Sequence, residues 1–97
     1  MSSLPPLTEA SRPILPRGVR LHQDRVRGNW VLLAPERALK LDPIGQAILA
    51  EVDGKRSLAE IAALLSERYG APLEQVGKDT TAFLAALVER RMLDLEA

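Results

Sequence analysis

The sequence has no cysteine, one histidine and only three aromatic residues among its 97 positions. Without cysteine the chain has no disulfide bond, no thiolate metal ligand and no thiol nucleophile. A zinc site needs several His or Cys ligands, and a catalytic triad needs a base between a nucleophile and an orienting group. No Gly-rich phosphate loop is present either. We therefore expect no enzyme activity, metal or cofactor, and we expect His22 on a strand surface.

The sequence also lacks net charge and long apolar runs. Thirteen Lys and Arg residues balance thirteen Asp and Glu residues. Residues 19–41, however, carry five basic and two acidic side chains, whereas residues 42–97 carry six basic and ten acidic ones. These net charges of +3 and −4 are typical of two differently charged faces. No stretch reaches the ~20 apolar residues that a transmembrane helix needs.

The N-terminal segment is rich in proline. Four of the seven prolines fall within the first sixteen residues, which predicts a flexible arm at residues 1–17. This segment lacks the basic and apolar regions of a signal peptide, and we expect a cytoplasmic protein. Residues 18–97 are predicted to form a single domain.

Three short segments after the arm have the composition of strands. Residues 19–22 alternate apolar and polar side chains, the period of a half-buried strand. The apolar run at residues 29–34 follows, and then the segment Arg37–Leu41. Turn residues separate these segments. Tight turns between adjacent strands predict an antiparallel β-meander whose third strand lies at the edge.

Helix signals begin directly after the third strand. Asp42 is a good N-cap with Pro43 at the first helical position, and Gly54 is expected to close this helix. Ser57 and Glu60 form the capping box of a second helix. The expected apolar stripes of these two helices contain Ile44, Ile48, Leu49, Val52, Leu58, Ile61, Ala62, Leu65 and Tyr69.

A third helix is predicted after Gly70, from near Pro72 to about Arg91, with Leu93 and Leu95 in a short extended end. Its apolar stripe contains Val76, Thr80, Phe83, Leu84, Leu87 and Val88. The fold class is α+β, a three-stranded antiparallel meander followed by a three-helix bundle.

The outer edge of the third strand raises a question, because no later segment has the pattern of a strand that pairs with it. Arg37 and Lys40 are charges of the kind that guard an exposed edge. Alternatively, a partner peptide adds there as a further strand, with Arg90 and Arg91 helping to attract an acidic segment. A DNA-binding winged helix is a weaker alternative, because the exposed helix faces carry many acidic residues. A purely scaffolding adaptor also stays open.

Residues 17–95 resemble the PqqD family of pyrroloquinoline quinone (PQQ) biosynthesis. The resemblance rests on "WVLLAPE" at residues 30–36, "LDPIG" at residues 41–45 and the "DG" turn before the capped helix. Thr80-Thr81 departs from the more apolar pair expected after Asp79. The resemblance implies a winged-helix-like recognition element that binds the ribosomal precursor peptide PqqA. It also implies that this element presents the peptide to the radical S-adenosylmethionine enzyme PqqE.

The same resemblance implies a binding site between the third strand and the third helix. The candidate strand residues are Arg37, Ala38, Leu39, Lys40 and Leu41, and those on the helix are Asp79, Thr80, Phe83, Leu84 and Leu87. We expect a monomer whose open edge also permits an edge-paired or domain-swapped homodimer.

Overall fold

The computed structural model describes residues 7–96, which form two small sheets and three helices. In chain order the elements are β1 (Arg12–Ile14), β2 (Arg20–Asp24), β3 (Asn29–Ala34), β4 (Arg37–Leu41), α1 (Pro43–Ala50), α2 (Leu58–Tyr69), α3 (Leu73–Glu89) and β5 (Asp94–Glu96). This order confirms the predicted α+β class, with an antiparallel three-stranded sheet followed by helices. No helix in the described part of the chain is both long and apolar enough to cross a bilayer.

β3 is the central strand of the larger sheet and pairs antiparallel with β2 on one side and β4 on the other. The sequence predicts the bounds of β3 and β4 correctly, whereas β2 lies slightly later than expected, at Arg20–Asp24. Side chains alternate between the two faces of a sheet. Leu32 is fully buried on the inner face, so its neighbours Val31 and Leu33 lie on the outer face.

The N-terminal segment requires a correction. The sequence predicts a flexible arm at residues 1–17, but Arg12–Ile14 forms β1, which pairs antiparallel with β5. The segment is also bonded on its other side, where the Leu58 N–H donates to the Ser11 carbonyl at 2.7 Å. These partners are distant in sequence, so no local pattern indicates the strand. Residues 1–6 of the predicted arm lie outside the described residues.

Gly54 contacts β1 and does not close α1, which is a second correction. α1 ends at Ala50, with Glu51 as its C-cap. Gly54 has a φ of 80°, and its N–H donates to the Pro13 carbonyl at 3.0 Å. A Cβ atom added to Gly54 would lie 2.7 Å from Cδ1 of Ile14. Glycine is favoured here, because any other residue would combine a strained positive φ with a displacement of Ile14.

The helix N-termini are capped as the sequence predicts. The Gly45 N–H donates to Oδ1 of Asp42 at 2.7 Å, and Pro43 occupies the first turn of α1. At α2, the Glu60 N–H donates to Oγ of Ser57 at 3.2 Å, and the Ser57 N–H donates to Oε1 of Glu60 at 2.8 Å. Side chains that accept from free N–H groups at a helix start stabilise it by about 1 kcal/mol each. Local sequence therefore fixes where α1 and α2 begin.

One apolar core joins the inner face of the larger sheet to the helices. It contains Leu32, Leu41, Ala47, Ile48, Leu49, Leu58, Ile61, Leu65, Leu84, Leu87, Val88, Met92 and Leu93. Ile44 and Tyr69 are predicted on the buried stripes, but they are 68% and 63% exposed. The repeat of apolar residues continues beyond the part of each helix that packs against the core. Sequence periodicity alone therefore predicts too many core residues.

Candidate binding site at an open strand edge

β4 is an edge strand, as predicted: β3 pairs with one side, and no strand within residues 7–96 pairs with the other. A two-residue turn, Pro35-Glu36, joins it to β3 between a paired Ala34 and Arg37. Such a turn makes its flanking residues a hydrogen-bonded pair, and bonded pairs alternate along an antiparallel ladder.

This alternation fixes which backbone groups of β4 are available. Leu39 pairs with Leu32 and directs its N–H and C=O toward β3. Ala38 and Lys40 therefore direct theirs toward the open edge. Within the described residues, no backbone hydrogen bond links either of them to another segment on that side. The edge offers two donors and two acceptors at a spacing that suits an extended chain.

α3 lies beside β4 and the start of α1. Nη2 of Arg37, at the first residue of β4, donates to the Arg90 carbonyl at the end of α3 at 2.7 Å. In α1, a Cβ atom added to Gly45 would lie 3.0 Å from Cζ of Phe83 in α3. Because Gly45 has no side chain, α1 packs closely against this ring. These contacts place the end of α3 beside the first residue of β4, and Phe83 against the start of α1.

The predicted site residues divide between surface and core. The exposed ones are Arg37, Ala38, Lys40, Asp79, Arg90 and Arg91, and the half-buried ones are Leu39 and Phe83. Four others are buried: Leu41, Leu84 and Leu87 belong to the apolar core, and Thr80 lines the cavity described below. Burial removes the three leucine side chains from the surface of the free protein, and the binding site itself stays a prediction. The periodicity of a helix identifies its apolar face, but it does not tell which residues of that face are buried and which remain at the surface.

An apolar cavity of about 360 Å³ lies among the three helices, at the start of α1. Its lining consists of Pro43, Ile44, Ala47, Ile48, Leu65, Tyr69, Ala71, Gln75, Val76, Asp79 and Thr80. Among the few polar groups there, Nε2 of Gln75 donates to Oδ1 of Asp79 at 3.0 Å. Sequence reasoning identifies only Asp79 and Thr80 of this set. The available signal is that Ile44 and Tyr69 continue an apolar stripe past the core.

Cations outnumber acidic residues around the open edge. The exposed cations are Arg37, Lys40, Arg90 and Arg91, and Glu36 and Asp42 flank β4. The ion pairs within residues 7–96 are formed elsewhere, by Arg56 and Arg68 with Glu51 and Asp53. Cations without a neutralising carboxylate favour the approach of a negatively charged ligand.

Among the described residues, the carboxyl groups with shifted pKa values lie in turns remote from β4 in sequence. The backbone N–H groups of Arg56 and Lys55 lower the pKa of Asp53. The backbone N–H and the hydroxyl of Ser57 lower the pKa of Glu60. Both shifts follow from hydrogen bonds to the charged form, as capping requires. No cluster of three or more His, Asp or Glu side chains within residues 7–96 is arranged to hold a metal ion.

The fold and this site define a class: small α+β domains with a free strand edge beside an apolar cavity. The family profile of Coenzyme PQQ synthesis protein D (PqqD) matches residues 29–93. A Rhizobium meliloti (strain 1021) protein named PqqA binding protein is 47% identical over 91 residues, which cover 94% of this chain and 93% of the relative. A protein of the same name from Xanthomonas axonopodis pv. citri (strain 306) is 45% identical and covers 92% and 97%. The chain belongs to the PqqD family.

Solved structures support the fold assignment. The solution structure of the PqqD part of Methylobacterium extorquens PqqCD, a stand-alone recognition element of ribosomal peptide modification, superposes with a TM-score of 0.80 at 41% identity. The match covers 91% of this chain and 94% of that one. TbiB1, solved in complex with the TbiA(beta) leader peptide, gives a TM-score of 0.71 at 22% identity, covering 84% of this chain and 94% of TbiB1. At that identity the likeness concerns the fold alone.

Proposed function

We propose that this protein binds the precursor peptide PqqA by strand addition along β4 and presents it to the radical S-adenosylmethionine enzyme PqqE during PQQ biosynthesis. The observation that carries the proposal is the open edge of β4, with the backbone groups of Ala38 and Lys40 directed outward. The names of the related proteins, PqqA binding protein, support the identity of the peptide. Presentation to PqqE rests on the family resemblance.

The backbone hydrogen bonds between β4 and an added strand hold a peptide but do not select its sequence. Two outward residues permit up to four hydrogen bonds to an added strand, worth about 2–6 kcal/mol at about 0.5–1.5 kcal/mol each. Any extended peptide satisfies these bonds, because they involve only the main chain. Ordering a disordered peptide costs about 2–5 kcal/mol. The ladder alone therefore gives at best a weak complex.

The apolar cavity supplies the selectivity in this proposal. Pro43 and Ile44, which line it, follow the end of β4 by two and three residues in the chain, and in this proposal a peptide that extends past the end of β4 reaches it. Burying one apolar peptide side chain there adds about 1.5–3 kcal/mol. Together with the ladder, and after the ordering cost, this gives at most about 7 kcal/mol, so the affinity is about 10 μM at its strongest. A protein that presents a peptide to an enzyme must also release it, so a reversible complex suits this role.

The protein acts as a binding protein and not as a catalyst in this scheme. The cations at Arg37, Lys40 and Arg90 attract acidic residues of the peptide, and their long-range effect increases the rate of encounter more than the final affinity. Raising the salt concentration should therefore slow association while leaving the ladder bonds in place.

An NMR titration of isotope-labelled protein with synthetic PqqA tests the proposal. We expect saturable shifts at one peptide per protein, largest for the amides of Ala38 and Lys40 and for Ile44, Val76 and Asp79 around the cavity. A scrambled PqqA of the same composition is the control and should give much smaller shifts. Shifts confined to β2, or none up to millimolar peptide, would contradict the proposal. A further assay compares turnover of PqqA by PqqE with and without this protein.

A further inference from the structure

The outer face of the larger sheet carries a second surface, separate from the open edge. Two rows of side chains on the side of the sheet away from the core form what we call the outer sheet face. One row contains Arg20, Leu33 and Ala38, and the other contains His22, Val31 and Lys40. Leu32, on the other side of β3, is fully buried, so alternation directs both rows away from the core.

The centre of this face is apolar. Val31 and Leu33 are half-buried, and within residues 7–96 neither belongs to the core or packs against it. Ala38 beside them is exposed. These three side chains are neighbours in the register, so the apolar surface that they leave exposed is contiguous.

The rim of the face is basic. Arg20 and Lys40 are exposed at opposite sides of it, and none of the ion pairs within residues 7–96 involves them. The acidic residue of β2 on the same face, Asp24, is engaged in the β2–β3 turn, where its Oδ1 accepts from the N–H groups of Val26 and Arg27 at 3.0 and 3.3 Å. The charge of the face is therefore complementary to an acidic partner.

We propose that the outer sheet face docks an acidic surface of a folded protein, namely the enzyme that modifies the bound peptide. The identity of that enzyme rests on the proposed function. An apolar centre with a polar rim is the anatomy of a protein–protein contact, whereas nucleic-acid interfaces are polar and basic throughout. Three strands about 4.8 Å apart and about 20 Å long offer roughly 200–300 Å². This is well below the ~800 Å² per partner of a stable complex, so the contact is transient.

The same face joins the peptide site to the docked enzyme. A strand added to β4 extends the sheet, and its alternate side chains lie on the outer sheet face beside Ala38 and Lys40. An enzyme docked there touches the protein and its peptide together, so it binds the loaded protein more tightly than the free one. This couples docking to the presence of substrate.

Arg20→Glu tests the proposal, with Lys78→Glu on α3 as the matched control. Both residues are exposed, both changes reverse one charge, and Lys78 faces a different surface, between α2 and α3. Affinity for purified PqqE is measured by calorimetry at low and physiological salt, with and without PqqA. Affinity for PqqA alone is measured in parallel, because Arg20 lies on the strand farthest from β4.

We expect Arg20→Glu to weaken PqqE binding about five- to tenfold, less so at high salt, and Lys78→Glu to leave it within about twofold. His22→Glu, at an exposed position of β2 on the same face, should also weaken PqqE binding and leave PqqA affinity unchanged, so the result does not depend on one variant. Equal PqqE affinity for all three proteins, or no binding by the wild type, overturns the docking surface. A stronger effect of Arg20→Glu on duplex DNA binding or on self-association also overturns it. If the wild-type protein does not bind PqqA, the proposed function is refuted, but the PqqE affinities of the variants can still be compared.

Discussion

The open edge of β4 makes a sharp prediction for proline substitution. Proline lacks an N–H group, so its effect depends on which way the original N–H points. At Ala38 the N–H faces the open edge, and at Leu39 it faces β3. Ala38→Pro should therefore keep the fold and lose peptide binding, whereas Leu39→Pro should break the β3–β4 ladder.

The magnitudes follow from the hydrogen bonds involved. Ala38→Pro removes one ladder bond to the peptide, worth about 0.5–1.5 kcal/mol, and leaves a peptide carbonyl with no donor. We expect a total loss of about 1–3 kcal/mol, or about 5- to 150-fold in affinity. Proline is tolerated at an edge where the N–H faces solvent, so the stability of the free protein should change by less than about 1 kcal/mol. Leu39→Pro should lower stability by about 2–4 kcal/mol.

Gln23→Pro is the matched control, because the same alternation directs the Gln23 N–H away from β3 at the opposite edge, on β2. Calorimetry with PqqA and chemical denaturation measure binding and stability for each variant. If the Ala38→Pro variant is folded and binds PqqA with wild-type affinity, strand addition at β4 is refuted. If Gln23→Pro loses as much PqqA affinity as Ala38→Pro, proline acts by disturbing the whole sheet. If a homodimer forms at high concentration by edge pairing, Ala38→Pro should also abolish it in sedimentation.

Three further predictions concern stability and the cavity. Gly54→Ala should destabilise the fold by about 2–4 kcal/mol in chemical denaturation, since it combines a positive φ with a Cβ atom 2.7 Å from Ile14. The lowered pKa of Glu60 adds stability that is present above its ordinary value of 4.5 and is lost as the pH falls through the lower folded value. Glu60→Gln should therefore flatten the decline in stability between about pH 5 and about pH 3. Ile44→Ala should weaken PqqA binding by about 0.5–1.5 kcal/mol with little change in stability, because this cavity residue is 68% exposed.

Each of these changes has a control in the chain. Gly28→Ala shares a positive φ but meets nothing within 4 Å, so it should cost only about 1–2 kcal/mol. An equal cost at Gly54 would refute the close contact with β1. Glu67→Gln removes an exposed carboxylate of the same helix that takes no part in the cap and serves as the charge-matched control. Val26→Ala, at a site that is 94% exposed, should leave PqqA affinity unchanged. If it lowers PqqA affinity as much as Ile44→Ala does, the cavity does not bind the peptide.

Local features of the sequence determined much of this fold. The bounds of β3 and β4, the Asp42 cap and the Ser57–Glu60 capping box follow from patterns a few residues long. Such patterns act through short-range sterics and hydrogen bonds, which do not depend on distant residues. The free edge of β4 was also predictable, because no later segment has the pattern of a strand that would pair with it.

Tertiary structure decided the rest. β1 exists because Arg12–Ile14 finds β5 at the far end of the chain, and such a pairing leaves no local trace. Burial separated Leu84 and Leu87 from the surface and left Ile44 exposed, although all three belong to apolar stripes. The cavity, the outward backbone groups of β4 and the outer sheet face depend on which elements pack together and in which register. Periodicity tells which face of an element is apolar, but only packing against other elements decides how much of that face is covered.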